Sequence, residues 1–181
     1  MKVYPPSVCV NVVTRDGNYS PDIPFWLEHM QVPHGNLEIK ALCNRDNAVA
    51  HNATLYRCMA RAKAAGLEWC LLVDSDVAPI CGDTDQLFDA PYDLTCVKCA
   101  TARGAKSWQS PSVFHAQMWI ARLATLEKIP RPAFRWLTTY DNSLILACFC
   151  NHLAMQAIAQ GFTTGHVGWC THVPSEEIIE R

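Results

Sequence analysis

Leu71-Leu72-Val73-Asp74-Ser75-Asp76 decides the fold and the candidate site. An apolar run typical of a buried strand leads directly into two carboxylates that are separated by one residue. Ligands of open α/β sheets bind outside the carboxyl ends of the strands, so this is where a divalent cation and a phosphate are expected. On an extended segment, Asp74 and Asp76 project to the same side and would face one ion directly or through a water. The alternative is that the pair only caps the loop after the strand.

Size and composition restrict the class of protein. The chain has 181 residues, half of them hydrophobic, and we expect a single domain over 1–181. The net charge of −2 excludes a broadly basic nucleic-acid binder, although not a local basic path. The sequence shows neither the apolar length of a membrane span nor a signal-peptide core, which predicts a cytoplasmic protein. Most of the ten cysteines lie in apolar runs, which predicts reduced, buried thiols.

Strand and helix patterns alternate along the chain. Gly66 is expected to cap the longest helix, and Gly161 follows the last one. The alternation predicts an α/β fold, a Rossmann-like domain with a mostly parallel, mixed central sheet flanked by helices. Extended segments are predicted at 7–14, 37–43, 69–73, 93–100, 133–138, 143–149 and 163–173, a further apolar segment at 113–120, and helices at 21–30, 46–65, 84–88, 123–129 and 151–160.

Several motifs stand in a characteristic order. The first half carries Thr14-Arg15-Asp16 after a strand, Arg45-Asp46-Asn47 with His51-Asn52 at a helix start, Gly66 and the Asp74-Ser75-Asp76 segment. The second half carries Ile120-Ala121-Arg122, Leu126-Glu127-Lys128-Ile129, Gly161-Phe162 and Thr171-His172-Val173-Pro174. This order resembles the GT-A-fold glycosyltransferases and is most similar to family 2. The resemblance covers almost the whole chain, with a nucleotide-sugar-binding half over about 1–80 and an acceptor side with the closing segment over about 90–181.

The resemblance implies a metal-dependent glycosyltransferase that moves a sugar from a nucleotide-diphosphate donor, with a UDP-sugar favoured. Bound Mn²⁺ or Mg²⁺ stabilises the charge on the departing phosphate as a Lewis acid. Asp76 is then the expected direct ligand, and Asp74 contacts the ribose or a water on the metal. His172 in the closing segment is the expected third protein contact, with His166 as its rival.

The nucleotide itself needs polar partners. Thr14, Arg15 and Asp16 lie at the carboxyl end of the first strand and offer hydrogen-bonding groups to a base. Arg45 follows the second strand and offers a bidentate contact to the pyrophosphate. The alternative for Arg15 and for Arg45 is that each is only a solvated charge in a loop. Asn52 is a further candidate contact, or equally an inward polar group on the helix.

The catalytic base is where the chain departs from the family pattern. Inverting members carry an acidic residue about a dozen positions before the terminal Gly-Phe, where it deprotonates the acceptor hydroxyl. Here that place reads Phe149-Cys150-Asn151-His152 and holds no acid. Asp141 is the nearest carboxylate and the predicted catalytic residue, with His152 as the other candidate. Both an inverting reaction with Asp141 as base and a retaining reaction stay open.

Two other classes of protein compete with the transferase interpretation. A haloacid-dehalogenase-type phosphatase also places Asp-x-Asp after an apolar strand, but usually near the N-terminus and with a downstream lysine and acidic pair that this chain does not display. A module that binds nucleotide sugars without catalysis would account for the missing acid. The acceptor also stays open, and modified DNA, a protein and a glycan are all compatible with the sequence.

Further motifs have weaker functional interpretations. Cys96 and Cys99 have a zinc-like spacing, but they fall on a predicted strand and no second Cys-x-x-Cys exists. Trp108, in a polar loop, and Trp136 are candidates for stacking on a sugar or base. A basic face that would suit a polyanion such as DNA is formed in the sequence by Arg122, Lys128, Arg131 and Arg135.

Overall fold

The computed structural model describes residues 7–14, 16–41, 46–101, 114, 116–138, 145–147 and 149–172. For residues 41, 99–101, 137–138, 145–147 and 172 the description is limited to the backbone. Within this part the strands are β1 (Val8–Thr14), β2 (Leu37–Ala41), β3 (Trp69–Asp74), β4 (Val77–Pro79), β5 (Leu94–Thr101), β6 (Met118–Arg122), β7 (Leu137–Thr138), β8 (Ile145–Ala147) and β9 (Thr164–His172). The helices are α1 (Asp22–His29), α2 (Asn47–Ala65), α3 (Leu123–Leu126) and α4 (Phe149–Ala159), with 3-10 turns at His34–Asn36 and Thr84–Asp89.

Seven of these strands form one mixed sheet in the order β2-β1-β3-β6-β5-β9-β4. The pairs β1–β2, β1–β3 and β5–β9 are parallel, while β3–β6, β5–β6 and β4–β9 are antiparallel. Strands β7 and β8 form a separate antiparallel pair. The prediction of an α/β, Rossmann-like domain with helices against a mixed sheet is confirmed. The three neighbouring parallel strands β2, β1 and β3 place the carboxyl ends of β1 and β3 side by side.

Buried strands and capped helices explain why these segments form. Every residue of β1 is buried, as expected for a parallel strand that is covered on both faces. Helix α2 begins after Asp46, whose Oδ1 accepts a hydrogen bond from the backbone N–H of Ala48 at 2.9 Å. It ends at Gly66, whose φ of 66° is the left-handed conformation that glycine adopts without strain. The prediction that Gly66 caps this helix is confirmed.

The two faces of the sheet carry separate apolar clusters. Leu72 belongs to the cluster that packs against α2 and α4 and includes Leu55 and Trp119. Leu71, its neighbour on β3, belongs to the opposite cluster with Trp26 of α1. The apolar run of β3 therefore stays buried on both sides until the chain reaches Asp74. In the described part, Cys9, Cys58 and Cys70 are buried free thiols, and Cys81 is an exposed one.

A polar network joins the outer part of the sheet to α2. Glu38 of β2 accepts hydrogen bonds from the guanidinium group of Arg57. It also accepts one from Nδ2 of Asn11 at 2.8 Å. Arg61 donates to Asn11 Oδ1 at 2.8 Å. The hydrogen bonds from Arg57, together with those from Asn11 and the charge of Arg61, lower the pKa of Glu38 below its ordinary value. The carboxylate therefore stays ionised and links β2 to α2.

Several predicted boundaries were wrong, for local reasons. The apolar segment predicted at 113–120 contributes only its last residues to the strand Met118–Arg122, and α4 begins at Phe149 rather than at residue 151. Of the extended segment predicted at 133–138, only Leu137–Thr138 is a strand. The backbone N–H groups of Ala133 and Phe134 are bound by side chains of α2 instead of by a strand.

None of the helices in the described part is both long enough and apolar enough to cross a membrane.

Candidate functional site

The two carboxylates do not lie on one extended segment. Asp74 is the last residue of β3, Ser75 and Asp76 form a turn, and β4 begins at Val77. The premise that strand geometry points both carboxylates to one side was therefore wrong. Both aspartates are half-buried at the carboxyl edge of the sheet, so their placement there is as predicted although its cause is different.

Backbone hydrogen bonds hold this turn against its neighbours. The N–H of Ser75 donates to the carbonyl of Val13 at 3.0 Å, and the carbonyl of Ser75 accepts from the N–H of Ser20 at 2.7 Å. The N–H of Asp74 donates to the carbonyl of Gln117 at 2.6 Å, just before β6. The loop that follows β1 and the turn that follows β3 therefore meet at one edge of the sheet, as expected for parallel neighbours.

The loop after β1 is organised by Thr14 and Asp16. The hydroxyl of Thr14 donates to the carbonyl of Asn18 at 2.7 Å and accepts from the N–H of Gly17 at 3.1 Å. Asp16 accepts from the backbone N–H of Asn18 at 2.9 Å and from its side-chain amide at 3.0 Å. These hydrogen bonds, with that of the backbone N–H first among them, lower the pKa of Asp16. The loop thus presents an ionised, oriented carboxylate beside the Asp74-Ser75-Asp76 turn.

A histidine of α2 contacts the site. The Nε2 atom of His51 lies 3.0 Å from Oδ1 of Asp74, and its Nδ1 atom lies 2.8 Å from the carbonyl oxygen of Asn47. The side chain of His51 is 6% exposed and that of Asp74 is 23% exposed. The carbonyl oxygen of Asn47 and the carboxylate oxygen of Asp74 both accept, so each contact needs a hydrogen on the imidazole nitrogen that makes it. Sequence reasoning quoted His51 within a motif but gave it no role.

Strand β9 brings His172 to the same edge. In the backbone register, His172 lies opposite Val77 on β4 and Thr101 on β5. Val97 pairs with Val167 and Lys98 with Trp169, so Gly168 is an extra residue on β9. Because of this bulge, the even spacing of His166 and His172 in the sequence does not carry over to their pairing with β5. The register places the backbone of His172 beside the residue that follows Asp76, while its role as a metal ligand stays a prediction.

Gly168 cannot be replaced by a residue with a side chain without a rearrangement. Its φ is 49°, and a Cβ atom there would lie 1.9 Å from the backbone oxygen of Asp83. The hydroxyl of Thr84, in the same loop, donates to the carbonyl of Trp169 at 2.9 Å. The bulge and this loop fix the path of β9 toward His172 together.

Asn52 acts inside the protein. Its Nδ2 donates to the carbonyl of Phe134 at 2.6 Å and to that of Ala48 at 2.8 Å. Its Oδ1 accepts from the backbone N–H of Phe134 at 2.9 Å. Both amide hydrogens are therefore taken up by carbonyl oxygens of the chain. This is the inward alternative for Asn52, and these contacts give no support to a role in nucleotide binding.

His152 has a similar internal role. Its Nδ1 donates to the carbonyl of Ala133 at 3.0 Å, and its Nε2 accepts from the side-chain amide of Gln156 at 3.2 Å. Nδ1 thus holds the segment around Ala133 against α4, while Nε2 is bound within that helix. The structure therefore gives no support to His152 as the base. Asp141, the first choice, lies outside the described residues, as do Arg15, Arg45, Trp108 and Cys148.

Trp136 packs within the protein. Its ring packs edge-on against that of Phe149 at 4.9 Å, and its Nε1 donates to both carboxylate oxygens of Asp46 at 3.0 and 2.9 Å.

Among the described side chains, no group of three His, Cys, Asp or Glu residues is arranged to hold a metal. Cys96 and Cys150 are buried in the core cluster, which gives the zinc alternative no support in that part of the chain.

Arg122, the first of the four basic residues, lies far from the carboxylates. Arg122 pairs with Trp69, the first residue of β3, and its guanidinium stacks over that ring at 4.5 Å. Arg131 stacks over the ring of Tyr56 at 4.3 Å. Trp69 and Asp74 are the two ends of β3, so Arg122 lies about 17 Å from the carboxylates along the strand. A polyanion bound by Arg122 would therefore lie at the opposite end of β3 from the site.

Comparisons with known proteins identify the fold but no family. No protein-family model and no curated protein sequence matches the chain. Among solved structures, A197 from STIV is similar with a TM-score of 0.60 at 17% identity, over 92% of this chain and 86% of that one. Residues 1–349 of TarS from S. aureus, a GT-A-like glycosyltransferase, are similar with a TM-score of 0.51 at 15% identity, over 96% of this chain and 62% of that one.

A third structure is more distant. A nucleoside-diphosphate-sugar pyrophosphorylase from Vibrio cholerae RC9 gives a TM-score of 0.42 at 12% identity, over 96% of this chain and 81% of that one, which is too low to support a structural argument. At these identities the likeness concerns the fold alone. The chain therefore has a mixed α/β fold similar to that of residues 1–349 of TarS, of which it spans less than two thirds.

Proposed function

We propose that this protein is a nucleotide-sugar-dependent glycosyltransferase that binds its donor, with a divalent cation, at the carboxyl ends of β1 and β3. One observation carries the proposal. Hydrogen bonds from Ser20 and to Val13 hold the Asp74-Ser75-Asp76 turn against the loop after β1. A pair of carboxylates and a set of polar groups therefore share one edge of the sheet. The fold similarity to TarS supports the same interpretation.

The oxygen atoms that this turn offers as ligands fit a hard cation. Asp74 and Asp76 offer carboxylate oxygens, and Mg²⁺ or Mn²⁺ is commonly held by one or two carboxylates together with substrate phosphates and water. Asp76 would hold the ion directly, Asp74 would contact the ribose or a water beside the ion, and His172 would add a neutral imidazole. When bound, the cation would supply charge stabilisation for the departing nucleotide diphosphate.

The remaining contacts belong to this chain's own side chains. Asp16 offers hydrogen-bonding groups to the nucleoside from the loop that the Thr14 hydroxyl holds in shape, and a uridine nucleotide is the favoured donor. Arg15 and Arg45 would supply positive charge for the pyrophosphate. Asp141 would accept the proton of the acceptor hydroxyl in an inverting reaction. Modified DNA, a protein and a glycan are the acceptor classes to test, and the cytoplasm is the proposed location.

A second function has its own support. The place where inverting relatives carry an acid is the start of α4 at Phe149, and its first turn contains no acidic residue. The absence of an acid there is expected for a module that binds nucleotide sugars without catalysis. Such a module would keep the donor cleft and show no turnover.

One incubation separates the proposed functions. The purified protein is mixed with a panel of nucleotide sugars and Mn²⁺, and mass spectrometry detects the released nucleoside diphosphate. We expect slow hydrolysis of one donor by the wild type and none by Asp76→Asn, because the substitution removes charge from the cation site and no packing. Donor binding without hydrolysis would favour the binding module. Release of inorganic phosphate from simple phosphate esters would favour the phosphatase class, and turnover by Asp76→Asn at the wild-type rate would exclude the role of Asp76.

A further inference from the structure

His51 and Asp74 form a contact that connects the candidate site to the interior of the domain. His51 lies in the second turn of α2, and Asp74 lies at the end of β3. Their side chains meet through Nε2 of the imidazole and Oδ1 of the carboxylate at 3.0 Å. The two residues are 23 positions apart in sequence, so only the packing of α2 on the sheet brings them together.

The imidazole has one well-defined orientation. Its other nitrogen, Nδ1, donates to the carbonyl of Asn47 at 2.8 Å. The ring packs against Phe149 with centroids 4.8 Å apart and against Phe134 at 5.4 Å. Phe134 is held in turn by two backbone hydrogen bonds with the side chain of Asn52. The ring is therefore fixed by the core, and the nitrogen that it presents to Asp74 is fixed with it.

We infer that His51 is a positioning residue that sets the orientation of the Asp74 carboxylate for the donor and its cation. The inference rests on the proposed function and goes beyond it by assigning a role to a residue that does not touch the donor. Residues that orient a ligating or ligand-binding carboxylate typically change metal affinity by 10- to 100-fold when they are removed. The contact to His51 orients Asp74 before the ligand arrives, so less ordering remains to be done on binding.

Two substitutions separate the two nitrogens of the ring. The amide nitrogen of glutamine occupies nearly the position of Nε2, so His51→Gln keeps a donor toward Asp74. The amide nitrogen of asparagine occupies nearly the position of Nδ1, so His51→Asn keeps only the donor toward Asn47. Both substitutions remove the aromatic ring and affect its packing to a similar extent. The matched control is Thr54→Val on the same helix, which removes a buried hydrogen bond to the carbonyl of Ala50 without touching Asp74.

The measurement is the calorimetric affinity of UDP, with Mn²⁺ and separately with EDTA, alongside the free energy of unfolding in urea. The ratio of the two affinities reports the coupling between cation and nucleotide. We expect this ratio to fall by about tenfold in His51→Asn, and to stay near the wild-type value in His51→Gln and Thr54→Val. A purely structural role would lower the stability of both His51 variants and leave the ratio unchanged in both.

Each outcome bears on a defined claim. If the wild type shows the coupling and His51→Asn retains it, or if His51→Gln loses as much as His51→Asn, the positioning role is wrong while the proposed function stands. If the wild type shows no coupling, the metal-dependent function fails, and the role of His51 fails with it. If His51→Asn does not fold, His51→Phe replaces it, since phenylalanine keeps the ring volume and removes both nitrogens, and the same loss of coupling is expected.

Discussion

Replacing Asn52 by alanine tests whether this residue supports the fold or binds the nucleotide. The side chain makes three hydrogen bonds of 2.6 to 2.9 Å, two of them to the backbone of Phe134. Phe134 is 1% exposed, so its N–H and carbonyl groups have little access to water when the amide is removed. An unsatisfied buried polar group costs about 1–3 kcal/mol, and two such groups give about 3 kcal/mol in total. For a chain of this length, that loss lowers the melting temperature by about 6–12 °C.

The assay is urea denaturation followed by circular dichroism, together with calorimetric binding of UDP to the folded variant. Gln86→Ala is the matched control, because Gln86 is an exposed amide that makes one hydrogen bond to Asp83 at 3.4 Å. That control is expected to change stability by no more than about 0.5 kcal/mol. We expect Asn52→Ala to lose stability and to keep its UDP affinity once it is folded. A variant as stable as the wild type that binds UDP more weakly would refute the structural role and restore Asn52 as a nucleotide contact.

Three further substitutions test other parts of the molecule. The pKa of Glu38 is lowered in the folded state, so its ionised form stabilises the protein above pH 4.5, and this contribution is lost as the pH falls through the lower folded-state pKa. Glu38→Gln should therefore be about 1 kcal/mol less stable than the wild type at pH 7 and approach the wild type in acid. A stability difference in urea that stays the same at all pH values would count against the ion pair. Gly168→Ala should cost about 3 kcal/mol or more because of its positive φ and the short approach to a backbone oxygen, while Gly35→Ala, which meets nothing within 4 Å, should stay within about 0.5 kcal/mol in the same melts. His172→Ala should weaken the Mn²⁺-dependent binding of UDP while His166→Ala leaves it unchanged, and the reverse ranking would move the metal contact to His166.

The parts of the fold that follow from local patterns could be predicted from sequence. The core of β3 was recognised because its apolar run is buried on both faces, and α2 because Gly66 marks its end. Strand β4 was missed because it has three residues, Val77–Pro79, which is too short for any periodicity to show. The bulge at Gly168 was missed because a single glycine within a strand-like segment does not reveal which residue lies opposite it.

The candidate site shows the same division. That Asp74 and Asp76 follow a buried strand could be predicted, because this depends on neighbours in sequence. The turn between them could not, since it depends on hydrogen bonds from Ser75 to β1 and from Ser20 in the next loop. The engagement of Asn52 by a segment 82 residues away is likewise a tertiary contact. Residue type indicated which side chains are polar, but only the packing of distant segments determines what they bind.

The joint binding of a nucleotide and a divalent cation at the Asp74-Ser75-Asp76 turn is tested most directly by one calorimetric comparison. UDP is titrated into the wild-type protein and into Asp76→Asn, each with Mn²⁺ and each with EDTA. We expect the wild type to bind UDP at least about tenfold more tightly with Mn²⁺, a difference of about 1.4 kcal/mol, and Asp76→Asn to lose this gain while it remains folded. Equal affinity of the wild type for UDP with Mn²⁺ and with EDTA would contradict a metal-dependent donor site.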